Sequence, residues 1–329
     1  MSPCGWNSSN SIIRIMPRKN NLTFHLLSLL MLAILLQVSS NDSLAEKNQP
    51  QSDNENILRL VLVPEKNIFE QRRRYKYITD YLSTKMNMRF VVEIMANYGD
   101  ISEAFIEGKA DAGFFGSFSY VLTHTKAGVE PIARPVWFNN NSTYRGYIFV
   151  RKDSNIKTVK DMKNKSLVLV DKATTAGYIF QLFHFKYFGI DNIEDYFSRI
   201  SFANSHDAAA WAVYAGEADI GGAKDIIFNS LMEEYQDFKK QMVVLAESPE
   251  VPSNGLAVRK DLNPAIKLRI KTLLLSLHKT PQGQEVLKNF GAIKFIKTSN
   301  DDYKVLYTMA KELGINLEEY SHKNNSLFD

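Results

Sequence analysis

Ala104-Phe105-Ile106-Glu107-Gly108-Lys109-Ala110-Asp111-Ala112-Gly113 returns 108 residues later as Ala212-Val213-Tyr214-Ala215-Gly216-Glu217-Ala218-Asp219-Ile220-Gly221. Both copies read as a helix end, a glycine stop and an apolar run that opens on Ala-Asp. Upstream of each stands a β-favouring run, Leu60-Val61-Leu62-Val63 and, 107 residues on, Leu167-Val168-Leu169-Val170. Two collinear matches at nearly one offset predict a chain with two lobes built alike.

Working outward from the first copy, Leu58–Val63 reads as a strand, Phe69–Lys85 as a helix and Arg89–Met95 as a strand. Helix Ile101–Glu107, buried strand Ala110–Phe115 and helix Phe118–Lys126 follow, punctuated by Gly108, Gly116 and Gly128. Strands alternating with helices predict an α/β sheet. Pro131–Phe138 and Tyr144–Arg151 are extended, as are Val243–Glu247 and Leu256–Val258, and these segments read as crossings and returns. A chain that leaves the first lobe near Tyr144 and re-enters near Asn254 needs helices Pro264–Asn289 and Asp301–Leu313 to finish that lobe. The expected architecture is residues 57–146 completed by 255–329 as one lobe and 147–254 as the other. A ligand cleft lies between them, and the two crossings act as a hinge.

Arg14, Arg18 and Lys19 precede an apolar run from Leu22 to Leu36, and Ser43-Leu44-Ala45 offers small residues for cleavage, so 1–45 reads as a secretory signal. Residues 46–56 read as a polar leader. The formal charge of +4 is halved by removing the three cations and one anion of the signal, too weak a balance for a nucleic-acid partner. Cys4, the one cysteine, falls inside the signal and can form no disulfide in the exported chain. With no amphipathic seam asking for a partner, a monomer is expected.

In open α/β sheets, ligands sit beyond the carboxyl ends of the strands. Four segments lie there: Pro64-Glu65-Lys66-Asn67, Gly116-Ser117-Phe118-Ser119-Tyr120, Asp171-Lys172-Ala173-Thr174-Thr175-Ala176-Gly177, and Asn204-Ser205-His206-Asp207. The last two place hydroxyls at helix starts, where free N–H groups and the dipole favour an anion. A serine or threonine alone is an ordinary cap, so the argument rests on convergence. His206 is either a capping histidine or a neutral donor to an oxyanion. Arg145, on a crossing, either grips that oxyanion or forms an ordinary salt bridge. Tyr98 and Tyr120 are aromatic candidates for the same cleft. The sequence carries no nucleophile elbow, phosphate loop or metal-binding histidine pattern, so no catalytic residue, metal or cofactor is expected.

Ser205-His206-Asp207-Ala208, Thr174-Thr175-Ala176-Gly177 after a strand, and Gly116-Ser117-Phe118-Ser119-Tyr120 resemble motifs of the phosphonate-binding periplasmic subunits of ABC transporters, a likeness covering nearly all of 57–320. The resemblance implies a two-lobed periplasmic binding protein that closes on a phosphonate, phosphite or phosphate and hands it to an ABC permease. It implies phosphoryl contacts from Thr174, Thr175, the Ala176 N–H and His206, with Ser205, Asp207 and Ser117 beside them. It also puts Asp225 and Asn254 where the family's carboxylates hold a ligand amine. Asn254 thereby replaces a charge, and small ligands without an amine are expected to bind better. A sensory subunit of the same fold, a sulfonate ligand, and an exported phosphoester-acting enzyme using His206 and Asp207 are the alternatives.

Overall fold

The strands, in chain order, are β1 (Ile57–Leu62), β2 (Arg89–Ile94), β3 (Ala112–Phe115), β4 (Glu130–Trp137), β5 (Thr143–Tyr144), β6 (Gly146–Arg151), β7 (Ser166–Leu169), β8 (Arg199–Phe202), β9 (Ile220–Lys224), β10 (Met242–Glu247), β11 (Val251–Pro252), β12 (Gly255–Val258) and β13 (Ala292–Lys297). They belong to a computed structural model that describes residues 57–65 and 67–323. The expected signal and leader, residues 1–56, lie outside the described residues. Among the described residues no helix is long and apolar enough to cross a membrane.

The first lobe is a six-stranded sheet, β13-β4-β12-β3-β1-β2, and the second a five-stranded sheet, β10-β6-β9-β7-β8. In each, three parallel strands are flanked by antiparallel ones. The order β12-β3-β1-β2 in one matches β6-β9-β7-β8 in the other. The sequence repeat therefore has a structural counterpart. Gly108 and Gly216 both take positive φ, 67° and 77°, as the left-handed residue that ends a helix. Nothing lies near a Cβ built on either, so conformation rather than space calls for glycine. The Asp111 carboxylate accepts the Arg59 N–H at 2.8 Å, and the Asp219 carboxylate accepts the Ser166 N–H at 2.8 Å. The same acid pins the topologically equivalent strands β1 and β7.

Alternation explains the Leu-Val runs, because successive side chains of a strand point to opposite faces and parallel sheets are covered on both. Leu60 and Leu62 pack into one core of the first lobe, and Leu167 and Leu169 into one of the second. Val61, Val63, Val168 and Val170 face the other way, into a single core that runs through both lobes with Phe118, Tyr144 and Phe149. Each buried side chain of this size contributes roughly 1.5–3 kcal/mol.

Several expected boundaries shift. The crossing is only β5 paired antiparallel with β11; Val243–Glu247 and Leu256–Val258 sit inside the two sheets instead of between them. The expected helix Pro264–Asn289 is two, Pro264–Ser276 and Pro281–Phe290, because Thr280 caps the second and Pro281 cannot continue the first. The strand β13 lies where none was expected.

Candidate functional site

Residues from both lobes close over a small cavity between the carboxyl ends of β1 and β3 on one side and β7 and β9 on the other. Its walls are Glu65, Tyr98 and Gly116 from the first lobe, Thr174, Thr175, His206 and Lys224 from the second, and Tyr144 and Asn254 from the crossings. The lobes touch directly around it. Thr175 Oγ1 accepts the Phe118 N–H at 3.0 Å, and Asp171 Oδ2 accepts the Tyr98 N–H at 3.3 Å. Lys224 Nζ donates to Glu65 Oε1 at 2.8 Å. The enclosed space is about 10 Å³, room for a single water.

The hydroxyl loop owes its position to Gly177. A Cβ there would lie 2.4 Å from Val170 Cβ, so only glycine lets the turn Thr175–Ile179 fold back on β7 and run into helix Phe180–Tyr187. Thr174 spends its hydroxyl proton on Asp171 O at 2.6 Å. Thr175 accepts rather than donates in its bond to Phe118, which leaves its own proton to give.

His206 opens the helix His206–Tyr214 and is 4% exposed. The Lys224 backbone N–H donates to its Nδ1 at 3.2 Å. A backbone N–H can only donate, so the ring's remaining proton sits on Nε2. Burial, reinforced by the Lys224 charge, lowers its pKa to about 3: at neutral pH it is an uncharged donor.

Lys224 ends β9, fully buried. Its ammonium bonds Glu65, donates to Asn254 Oδ1 at 3.1 Å and stands 4.4 Å from the centre of the Tyr144 ring. Burial opposes the charge of Glu65, but Lys224 beside it prevails and keeps its pKa below the ordinary value. Lys224 is likewise held above its ordinary value against burial, chiefly by Glu65. Burial and the Glu65 charge push the Tyr98 hydroxyl well up, so it keeps its proton. Tyr98 Oη and Asn254 Nδ2 are buried without a hydrogen-bond partner. Both unpartnered groups can donate a hydrogen bond, which suits an oxyanion.

The structure brings Thr174, Thr175, His206, Tyr98 and Asn254 together around the cavity, and the other expected residues make the following contacts. Ser205 caps its helix by accepting the Ala208 N–H and bonds Asp207, so both serve the helix start. Ser117 Oγ donates to Pro252 O at 2.6 Å, and Tyr120 Oη donates to Asn300 Oδ1 at 3.0 Å against the Tyr303 ring. Ala176 is buried beside Gly146, its carbonyl accepting from Gln181 Nε2. Arg145 forms a salt bridge with Glu250 at 3.1 Å and donates to Ser248 O at 2.8 Å. Asp225 lies outside the cavity, in an outer groove of about 500 Å³ that Glu65 and Lys224 separate from the inner space. Arg74, which lines the outer groove, donates to Phe290 O and lies over Trp137. A hollow of about 620 Å³ around Val159, Phe188 and Tyr196 is lined by second-lobe residues alone.

Lys224 was not singled out from the sequence, Tyr144 only as a point of crossing, and Glu65 and Gly116 only as members of strand-end segments. Glu65 directly follows the first strand run, where ligands are expected, and Lys224 is the residue that the 108-residue repeat offset makes equivalent to Gly116. Both signals were present in the chain.

Residues 60–303 match the family described as ABC transporter, phosphonate, periplasmic substrate-binding protein. The chain is 25% identical over 223 residues to the phosphate-import protein PhnD of Mycolicibacterium smegmatis, covering 65% of this chain and 70% of that protein. It is 24% identical to the phosphonates-binding periplasmic protein of Escherichia coli, over 67% of this chain and 64% of that protein. Among solved structures, PhnD1 of Prochlorococcus marinus in complex with methylphosphonate superposes with a TM-score of 0.69 at 19% identity, over 79% of this chain and 98% of that one. The chain therefore belongs to the phosphonate family of ABC-transporter periplasmic substrate-binding proteins.

Proposed function

We propose that the inner cavity binds a small phosphate-like oxyanion, phosphate, phosphite or methylphosphonate, with Thr175, His206, Tyr98 and Asn254 as its donors. The protein then works as a soluble monomer, exported through its N-terminal signal, that presents the closed form to an inner-membrane permease. One observation carries the reading. The cavity sits between two lobes with His206 fixed as a neutral Nε2 donor, and its buried unpartnered atoms, Tyr98 Oη and Asn254 Nδ2, can both donate. A dianion in such a site gains charge-assisted bonds without displacing an existing partner of those groups. The relatives whose names concern phosphate import and phosphonates, and the neighbour bound to methylphosphonate, support the same ligand class.

Thermal unfolding with phosphate, phosphite, methylphosphonate, aminoethylphosphonate, sulfate and taurine tests this. A ligand at a hundred times its dissociation constant adds about 2.7 kcal/mol of stability, seen as a rise of several degrees. The expected result is such a shift with at least one phosphorus oxyanion, abolished by His206→Ala. No shift with any of the six sinks the proposal.

A further inference from the structure

The inner cavity carries a feature that an oxyanion site alone does not require. The Lys224 ammonium is held by a carboxylate, an amide carbonyl and an aromatic face: Glu65 Oε1 at 2.8 Å, Asn254 Oδ1 at 3.1 Å and the Tyr144 ring at 4.4 Å. Those three groups form a complete ammonium seat, since each is of a kind that stabilises a cation. The seat is buried, with the Lys224 side chain 5% and that of Glu65 14% exposed. It also marks the boundary between the inner cavity and the outer groove, because Glu65 and Lys224 line both.

We propose that Lys224 is the specificity-determining residue of this cleft: its ammonium fills from within the chain the seat that a ligand's own ammonium would need, and so restricts the site to small oxyanions without a cationic arm. The inference rests on the oxyanion reading above and names the ligand class within it. An aminoalkyl phosphonate whose phosphoryl end lies against His206 and Thr175 would bring its amine up against a buried like charge, with Glu65 already engaged. Asp225 offers no substitute, as its carboxylate accepts the Ile226 N–H on the groove side of the pair. A ligand with only a hydroxyl, hydrogen or methyl there meets no such conflict and gains the positive potential of Lys224. Glu65 is held ionised by the charge of Lys224 against its burial, so with the lysine removed the carboxyl again needs a cation beside it, which the ammonium of an aminoalkyl ligand supplies.

Lys224→Ala tests the assignment, with methylphosphonate and 2-aminoethylphosphonate titrated calorimetrically into the full exported chain and circular dichroism confirming the fold. Wild type is expected to bind methylphosphonate at least about tenfold more tightly than the amine, the scale of one charged contact. In Lys224→Ala methylphosphonate should weaken and the amine strengthen by roughly tenfold or more, inverting the order, and adding Glu65→Gln should cancel the gain. If Lys224→Ala does not fold, Glu65→Gln alone decides: an uncompensated Lys224 should widen the preference for methylphosphonate. An unchanged ratio in Lys224→Ala, or in Glu65→Gln, overturns the role of Lys224 while leaving oxyanion binding standing. Failure of wild type to bind either phosphonate or phosphate overturns both.

Discussion

Acidification should destabilise this protein, and between pH 7 and pH 5 chiefly through His206. His206 is buried and neutral in the fold, with a pKa of about 3 against an ordinary value of 6.5. Between those values the unfolded chain binds a proton that the folded chain does not, so stability falls as pH falls. Each pH unit inside that window costs up to about 1.4 kcal/mol, and integrating from near pH 7 to near pH 5 gives about 2 kcal/mol. That is a large fraction of the 5–15 kcal/mol typical of a folded protein. The carboxyl of Glu65, held below its ordinary value by Lys224, acts in the same direction, but its contribution is lost only as pH falls below the ordinary glutamate range. His184, also lowered by burial, adds a slope common to wild type and variant. Urea unfolding near pH 7, 6 and 5 of wild type and His206→Gln therefore isolates the term, because glutamine keeps an acceptor for the Lys224 N–H but does not titrate. Wild type should lose about 2 kcal/mol more than the variant across the range. Equal pH slopes would refute the assignment of His206 as a buried histidine that stays neutral well below its ordinary pKa.

Thr175→Val removes the acceptor of the Phe118 N–H that spans the lobes; a buried donor left alone costs about 1–3 kcal/mol, so the closed form should weaken, and unchanged X-ray scattering and ligand affinity would contradict this. Gly177→Ala drives a methyl to 2.4 Å from Val170 and should cost roughly 1–3 kcal/mol as an overpacked contact, which a melting temperature equal to wild type would disprove. Asp219→Ala orphans the half-buried Ser166 N–H at the start of β7 and should destabilise by about 1–3 kcal/mol, whereas Asp111→Ala frees an exposed Arg59 N–H that water can satisfy and should cost less; chemical unfolding that ranks the two the other way would contradict this.

What was legible in the chain is what local patterning fixes. The helix-Gly-Ala-Asp repeat is readable because each of its residues answers to a neighbour close in the same lobe: the glycine to the helix it ends, the aspartate to the strand beside it. The donors of the cavity were readable for a related reason, since Thr175 and His206 open helical turns directly after strands. Two misses share the opposite cause. β13 pairs with β4 from more than 150 residues away and carries exposed Lys294 and Lys297 on an edge, so its alternation is blurred and its partner invisible locally. Lys224 reads as an unremarkable lysine at a strand end, and its meaning comes from Glu65, 159 residues upstream in the other lobe. Arg145 was ambiguous until Glu250, 105 residues on, claimed it. A cleft between lobes is built from such pairs. One-sided reading therefore finds the groups that offer hydrogen bonds and misses the partners that neutralise them. Since charge balance rather than donor count separates a bare phosphorus oxyanion from an aminoalkyl one, the hydroxyl loop and the histidine could be read from the sequence, whereas Lys224, on which the proposed discrimination turns, comes to the site only through the fold.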